Sequence, residues 1–95
     1  MMDLDRVIHD PARLRILTIL SGVESADFNF FVTTLGLTRG NQSAHMDRLE
    51  KSGYVQITKS FIGKLPHTEY RITATGRATL RNYWRALDQI RAMKG

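Results

Sequence analysis

Between Thr38 and Ser43 the chain sets a run of hydrogen-bonding side chains, Thr38, Arg39, Asn41, Gln42 and Ser43, around Gly40, with no apolar residue among them. Over the next turns Met46 and Leu49 fall on one side, and Asp47, Arg48, Glu50 and Lys51 on the other. That is the pattern of an amphipathic helix. With Thr38 as its cap, the polar run lies at the N-terminal end, where free amides and the helix dipole favour an anion. Arginine presents a forked donor that matches guanine O6 and N7, and asparagine or glutamine pairs with adenine N6 and N7. Gly40 has no side chain to hold a surface away. Thr38 and Ser43 suit phosphate or base contacts, and Arg48 and Lys51, further along, suit the phosphate backbone. A helix about 10 Å across fits the major groove of a duplex.

Other chemistries find no residues to carry them. The chain has no cysteine, hence no disulfide, thiolate nucleophile or cysteine-based zinc site. His9, His45 and His67 have no metal-ligand spacing. There is no phosphate-binding glycine loop and no nucleophile beside a base, so neither an enzyme nor a cofactor is expected. Charge is divided along the chain. Residues 1–38 hold three arginines against five acids, whereas residues 39–95 hold eleven Lys and Arg against four acids, net −2 and +7. Such asymmetry favours a polyanion on one side of the molecule. The start, MMDLDRVIHD, has three acids and no apolar core of a leader, and no stretch is long enough to span a membrane. A cytoplasmic protein is expected.

The elements that must position this helix follow from caps and periods. Ninety-five residues suit a single domain, 1–95. Leu4, Val7 and Ile8 suggest a short helix, or a continuation kinked at Pro11, ahead of HDPARLRILTIL. There Asp10 can cap, Pro11 fits the first turn, Leu14, Leu17 and Leu20 share a face, and Gly22 closes the helix. In DFNFFVTTLGL, Asn29 is a plausible cap, Phe28, Phe31, Val32 and Leu35 are core candidates, and Gly36 is the stop. After Gly53 the period becomes two. YVQITKS and HTEYRIT read as half-buried strands, joined through FIGKLP, with Lys59, Lys64 and His67 near the tip. Thr73 can cap a last helix to about Met93, with Leu80, Tyr83, Trp84, Leu87 and Ile90 at spacings of three and four.

HDPARLRIL, a short helix ending LGLT, RGNQSAHMDRLEKSGYV, and YRITATGR leading into a helix occur in an order that resembles the small winged helix-turn-helix transcriptional regulators related to MarR-like and ArsR-like repressors. The resemblance runs from about His9 onward. It implies a mainly α (α+β) fold with a recognition helix at about 38–52, a two-stranded wing at about 54–73 and a long C-terminal dimerisation helix at about 74–93. It also implies that terminal helices pair two subunits, with Leu4, Ile8, Leu80, Tyr83, Trp84, Leu87 and Ile90 as the candidate contact. His45 falls where such regulators often place a histidine, which could bond phosphate or fill a half-buried niche. At Gln42 they usually carry an aliphatic residue, so its amide either swings to DNA or lies in the core. Lys59 and Lys64 would meet phosphate or the minor groove. Arg77, Arg81 and Arg85 form a basic stripe best explained as a solvated face. Phe30 is a spare aromatic.

The expected function is a homodimeric, sequence-specific regulator of double-stranded DNA with a pseudo-palindromic site. The alternative is a winged-helix module that binds protein through the long helix and the Phe-rich short helix. Arsenic sensing through thiolates is excluded by the absence of cysteine, and no residue pattern names a small-molecule effector.

Overall fold

A computed structural model describes residues 4–94. Its elements, in chain order, are α1 (Pro11–Ser21), β1 (Ala26–Asp27), α2 (Phe28–Leu35), α3 (Arg39–Lys51), β2 (Val55–Ile62), β3 (Leu65–Ile72) and α4 (Ala74–Lys94). This is the winged helix-turn-helix order expected from the sequence. The helix starts are fixed locally. Asp10 accepts from the Arg13 amide, with Pro11 in the first turn, Thr38 accepts from the Asn41 amide, and Thr73 accepts from the Gly76 amide.

Several expectations change. The Leu4–Ile8 segment is not a helix but one turn, with a His9 amide to Asp5 carbonyl bond, whose leading amides, Val7 and Ile8, are taken by the Asp5 carboxylate. The cap of α2 is Asp27, not Asn29: its carboxylate accepts from the Phe30 amide at 2.8 Å. In α1 the buried face is Ile16, Leu17 and Leu20, with Leu14 half-buried. The sheet has three strands rather than two, in the order β1-β3-β2, because Ala26 and Asp27 pair antiparallel with Tyr70 and Glu69.

The hairpin β2-β3 is longer and its turn tighter than the loop expected at residues 61–66. Ile62 pairs with Leu65, leaving Gly63 and Lys64 as a two-residue turn. Gly63 has φ +62° and Lys64 does not share a positive φ, the II′ pattern that matches strand twist and calls for glycine at its first position. Pro66 lies within β3, opposite Phe61.

The core draws Ile8, Ile16, Leu17, Leu20, Phe31, Met46, Leu49, Val55, Tyr70, Leu80 and Tyr83 from every helix and both long strands. It fixes α3 between α1, α2 and the base of the wing. The start of α4 is locked to the same place. Thr73 Oγ1 donates to the Gly53 carbonyl at 2.6 Å, and a Cβ at Gly76 would stand 2.3 Å from the Tyr54 carbonyl oxygen. The 21 residues of α4 run for about 32 Å in a molecule whose longest extent is 55 Å, so its far end projects from the body.

Candidate nucleic-acid interface

The core side of α3 is Gln42, Met46 and Leu49, all fully buried. At 100° per residue, the opposite face is Gly40, Ala44, Asp47 and Lys51, flanked by Asn41 and Arg48 on one side and by Ser43 and Glu50 on the other. All eight are exposed. Ala44 and Asp47 did not enter the candidate set read from the sequence, though they continue the helical spacing from Gly40. Two small residues in the middle of this face let another surface approach the helix axis closely, and a Cβ added at Gly40 would meet nothing within 4 Å. Asp47 can accept from the cytosine N4 amine, and the Ala44 methyl can meet a thymine methyl.

Arg39 lies at the edge of this face. Its Nη1 donates to Asn29 Oδ1 at 2.9 Å, and its guanidinium sits 4.7 Å from the centre of the Phe28 ring. The stacking and the hydrogen bond hold the guanidinium in one place while leaving its other donors open. The Thr38 hydroxyl, exposed beside it, accepts the capping bond and retains its own proton to donate.

Two candidates are corrected. Gln42 is fully buried, with neither Nε2 nor Oε1 bonded among the described residues, so it belongs to the core and cannot reach a base. Its position in the helix decides this, being one turn before Met46 on the packed side. His45 is half-buried and turned toward α1, where Arg13 Nη1 lies 3.3 Å from its Nδ1 and Asp10 Oδ1 4.0 Å; it ties the two helices together, filling the niche given as the alternative to a phosphate contact. Asp10 itself is raised by burial but lowered more by the Arg13 amide, the Arg13 guanidinium and His45, so its carboxyl lies below the ordinary carboxylate value.

Between α3 and the wing lies an open groove of about 700 Å³, lined by Arg39, Ser43, Asp47, Glu50, Lys59 and Tyr70 among others. Tyr70 forms its floor. Burial, then the Asp47 charge, push its phenol up to about 12 against the opposing pull of Arg39, with Glu50 adding to the rise, so it stays protonated. Lys59 stands in this groove, opposite Thr68, and not at the wing tip. Lys64 alone of the two lysines is at the tip. His67 bonds Glu69 at 3.0 Å, and Arg71 lies 3.5 Å from Glu24 in an exposed pair. Arg77 donates to the Ser21 carbonyl at the end of α1.

Of the seven residues expected at a subunit contact, Ile8, Leu80 and Tyr83 are buried inside the single chain. They are core residues, drawn in because α4 packs on α1 through that stretch. Leu4, Leu87 and Ile90 are half-buried, and Trp84 is 43% exposed. Trp84 borders an apolar groove with Leu14, Ile19 and Leu35.

An exposed N-terminal helix face beside a cation-bearing hairpin defines the class as a winged-helix protein of the DNA-binding type. The family model described as "Winged helix DNA-binding domain" matches residues 12–91, and the chain belongs to that family. An uncharacterized protein of Methanocaldococcus jannaschii is 36% identical over 78 residues, covering 82% of this chain and 85% of that one. The transcriptional regulator homologue of Pyrococcus horikoshii OT3 superimposes with a TM-score of 0.82 at 29% identity, over 90% of this chain and 85% of that one. The transcriptional repressor CouR, bound to a 23-mer DNA duplex, gives 0.73 at 30% identity, over 86% of this chain and 57% of that one. These two solved neighbours are a transcriptional regulator homologue and a transcriptional repressor, not enzymes. Among the described residues no helix is long and apolar enough to cross a membrane.

Proposed function

We propose that the chain is a sequence-specific regulator of double-stranded DNA that acts as a homodimer in the cytoplasm, each subunit laying α3 in a major groove. The observation that carries this reading is the outward face of α3. Small residues at its centre, Gly40 and Ala44, are bordered by groups that read base edges, Arg39, Asn41 and Asp47, and by groups that hold phosphate, Ser43, Arg48 and Lys51. The acids Asp47 and Glu50 among these cations disfavour indiscriminate binding to phosphate and so give weight to base reading.

Two subunits would meet through the distal half of α4 and the apolar groove beside Trp84. The site would then be pseudo-palindromic, with half-sites about 34 Å apart. The test is selection of bound sequences from a random duplex pool at two salt concentrations, followed by competition assays on variants. Arg39→Ala is expected to lose base discrimination, costing about 1–3 kcal/mol. Gly40→Ala is expected to fold as well as the parent, since glycine is the poorer helix former by up to about 1 kcal/mol, and yet to bind the selected duplex more weakly. Unchanged sequence preference in Arg39→Ala would sink the assignment of α3. Absence of salt-dependent binding to any duplex would turn the reading to a protein-binding winged helix.

A further inference from the structure

Successive side chains of a strand point to opposite faces of a sheet, so the wing has two sides. Ile57, Lys59, Thr68 and Tyr70 border the groove that opens onto α3. The pairs Ile62 with Leu65, Ser60 with His67 and Thr58 with Glu69 therefore lie on the outer side, turned away from α3. The two ends of that side differ. At the tip Ile62 is 63% and Leu65 72% exposed, Lys64 stands in the turn between them, and no acid occurs from Val55 through Thr68.

At the base, β1 ends at Asp27, where the chain turns into α2, and the β3 edge before Glu69 is left uncovered by it. A hollow of about 300 Å³ remains there, lined by Val23, Ser25, Asp27, Phe30, His67 and Glu69 among others. Val23 and Phe30 are exposed apolar groups at its rim. Three acids surround it: Asp27, Glu69 and Glu24, which stands between Val23 and Ser25. Against them are His67, bonded to Glu69, and Arg71, in an exposed pair with Glu24 that leaves the Glu24 side chain 87% open.

One side of the wing thus carries an apolar, cationic tip and an apolar, acid-rimmed hollow, with Leu65 and His67 two residues apart on β3. A surface that holds both halves of a match fits a second copy of itself turned about a two-fold axis, because each tip then meets the other's hollow at once. A few apolar side chains on each copy cover less than the roughly 1,200 Å² of a stable complex, so the contact suits copies that are already held side by side. Copies on adjoining stretches of one duplex are so held, and the outer side of the wing stays open while α3 lies in a groove.

We propose that the outer side of the wing pairs with its counterpart on a second copy, Ile62 and Leu65 of each entering the hollow beside Val23 and Phe30 of the other with Lys64 toward Glu24, and that copies on adjoining sites of a duplex load cooperatively through it. The contact uses none of the α4 residues assigned to the homodimer. The pairing stands on the wing alone, and the cooperative loading rests on the DNA-binding reading given above.

The chain has no cysteine, so introduced cysteines report the pairing by disulfide trapping, without DNA. A chain with Leu65→Cys is mixed with a chain with Ser25→Cys under mild oxidation, and linked peptides are identified by mass spectrometry. The link is expected to form several times faster than the one from Phe61→Cys mixed with Ser25→Cys, since Phe61 lies on the α3 side of the wing. Lys64→Glu added to the first chain, or Glu24→Lys added to the second, is expected to slow it about two- to fivefold, the weight of an exposed ion pair. Both changes together are expected to restore it. The second probe is a duplex with two adjoining copies of a site selected from a random pool, their spacing stepped through one helical turn. The parent is expected to fill both sites together at the matching spacing, and Val23→Lys to fill them independently while equalling the parent on a single site. A Leu65→Cys link no faster than the Phe61→Cys link overturns the pairing, as does a charge swap that fails to restore a slowed link. Trapping at the expected rates with independent filling at every spacing overturns the cooperative loading. A parent chain that selects no duplex overturns the DNA-binding reading and the loading with it, while the trapping rates still decide the pairing.

Discussion

At Gln42 the type of a residue and its place in a helix disagree, and place wins. An amide with base-pairing capacity, next to Asn41 and Ser43, reads from sequence as a contact residue. The periodicity set by Met46 and Leu49 turns it inward, where it is fully buried with both polar atoms unbonded. An unmade hydrogen bond at a buried amide costs about 1–3 kcal/mol. Gln42→Met, similar in length and free of that cost, is therefore expected to stabilise the fold by about that amount. For a domain of this size the melting temperature would rise by roughly 4–8 °C per kcal/mol, with the preference for duplex sequence unchanged. A melting temperature equal to or below the parent's would mean that the amide has a partner. His45 teaches the same lesson more gently. Its ring is half-buried against Arg13 and Asp10, a contact 32 positions away along the chain that no local pattern encodes. Arg39 shows the opposite case, legible by type and then sharpened by Phe28 and Asn29, which fix where its guanidinium stands.

At the scale of elements, most of what is set locally was legible, the α2 cap at Asp27 and the turn after Asp5 being the exceptions. Asp10 with Pro11, Thr38 and Thr73 each mark a helix start, because a cap bonds an amide three residues ahead. The alternation in β2 and β3 likewise follows from one buried face. What depends on distant pairing was not legible. β1 is two residues long with no periodicity of its own and exists through the edge that β3 offers it. The extension of β2 and β3 to Ile62 and Leu65 breaks the alternation with apolar residues on both faces, so strand looked like loop. Gly76 joins local and distant constraints. Inside an ordinary helix, replacing glycine by alanine stabilises by up to about 1 kcal/mol. Here the added Cβ would stand 2.3 Å from the Tyr54 carbonyl oxygen and 2.9 Å from an Ile72 side-chain carbon, and backbone cannot yield as a flexible side chain does. Gly76→Ala is thus expected to destabilise by about 1–3 kcal/mol, the usual range for overpacking, measured by urea unfolding. A stability gain would mean that α4 can lift from the base of the wing without cost.

The whole molecule is lopsided in both charge and shape. The net −2 of residues 1–38 and +7 of residues 39–95 set the cations on α3, the wing and α4. The 21 residues of α4 reach beyond the core that holds their first half. Leu80 and Tyr83 are spent inside the chain and Leu87 packs half-buried against its core, which leaves Trp84, Ile90 and Met93 to follow one another along the rest of the helix. Trp84 is 43% exposed beside the apolar groove of Leu14, Ile19 and Leu35, and Met93 further along is 76% exposed. A matching helix from a second copy would cover this stripe and hold two α3 helices at a fixed distance. Binding of the second half-site then becomes intramolecular, a gain on the order of 10²–10⁴ in affinity without any new contact to DNA. Trp84→Glu with Ile90→Glu alters only the projecting stripe. In sedimentation equilibrium it is expected to give monomer under conditions where the parent gives dimer. On a selected two-half-site duplex it should lose affinity by a factor in that range, while on a single half-site it should match the parent. That pair of outcomes separates loss of pairing from loss of folding, since an unfolded chain would fail on both duplexes. A variant that stays dimeric, or a parent that is monomeric and binds both duplexes alike, would remove α4 from the assembly and leave α3 and the wing to act as a single reading head.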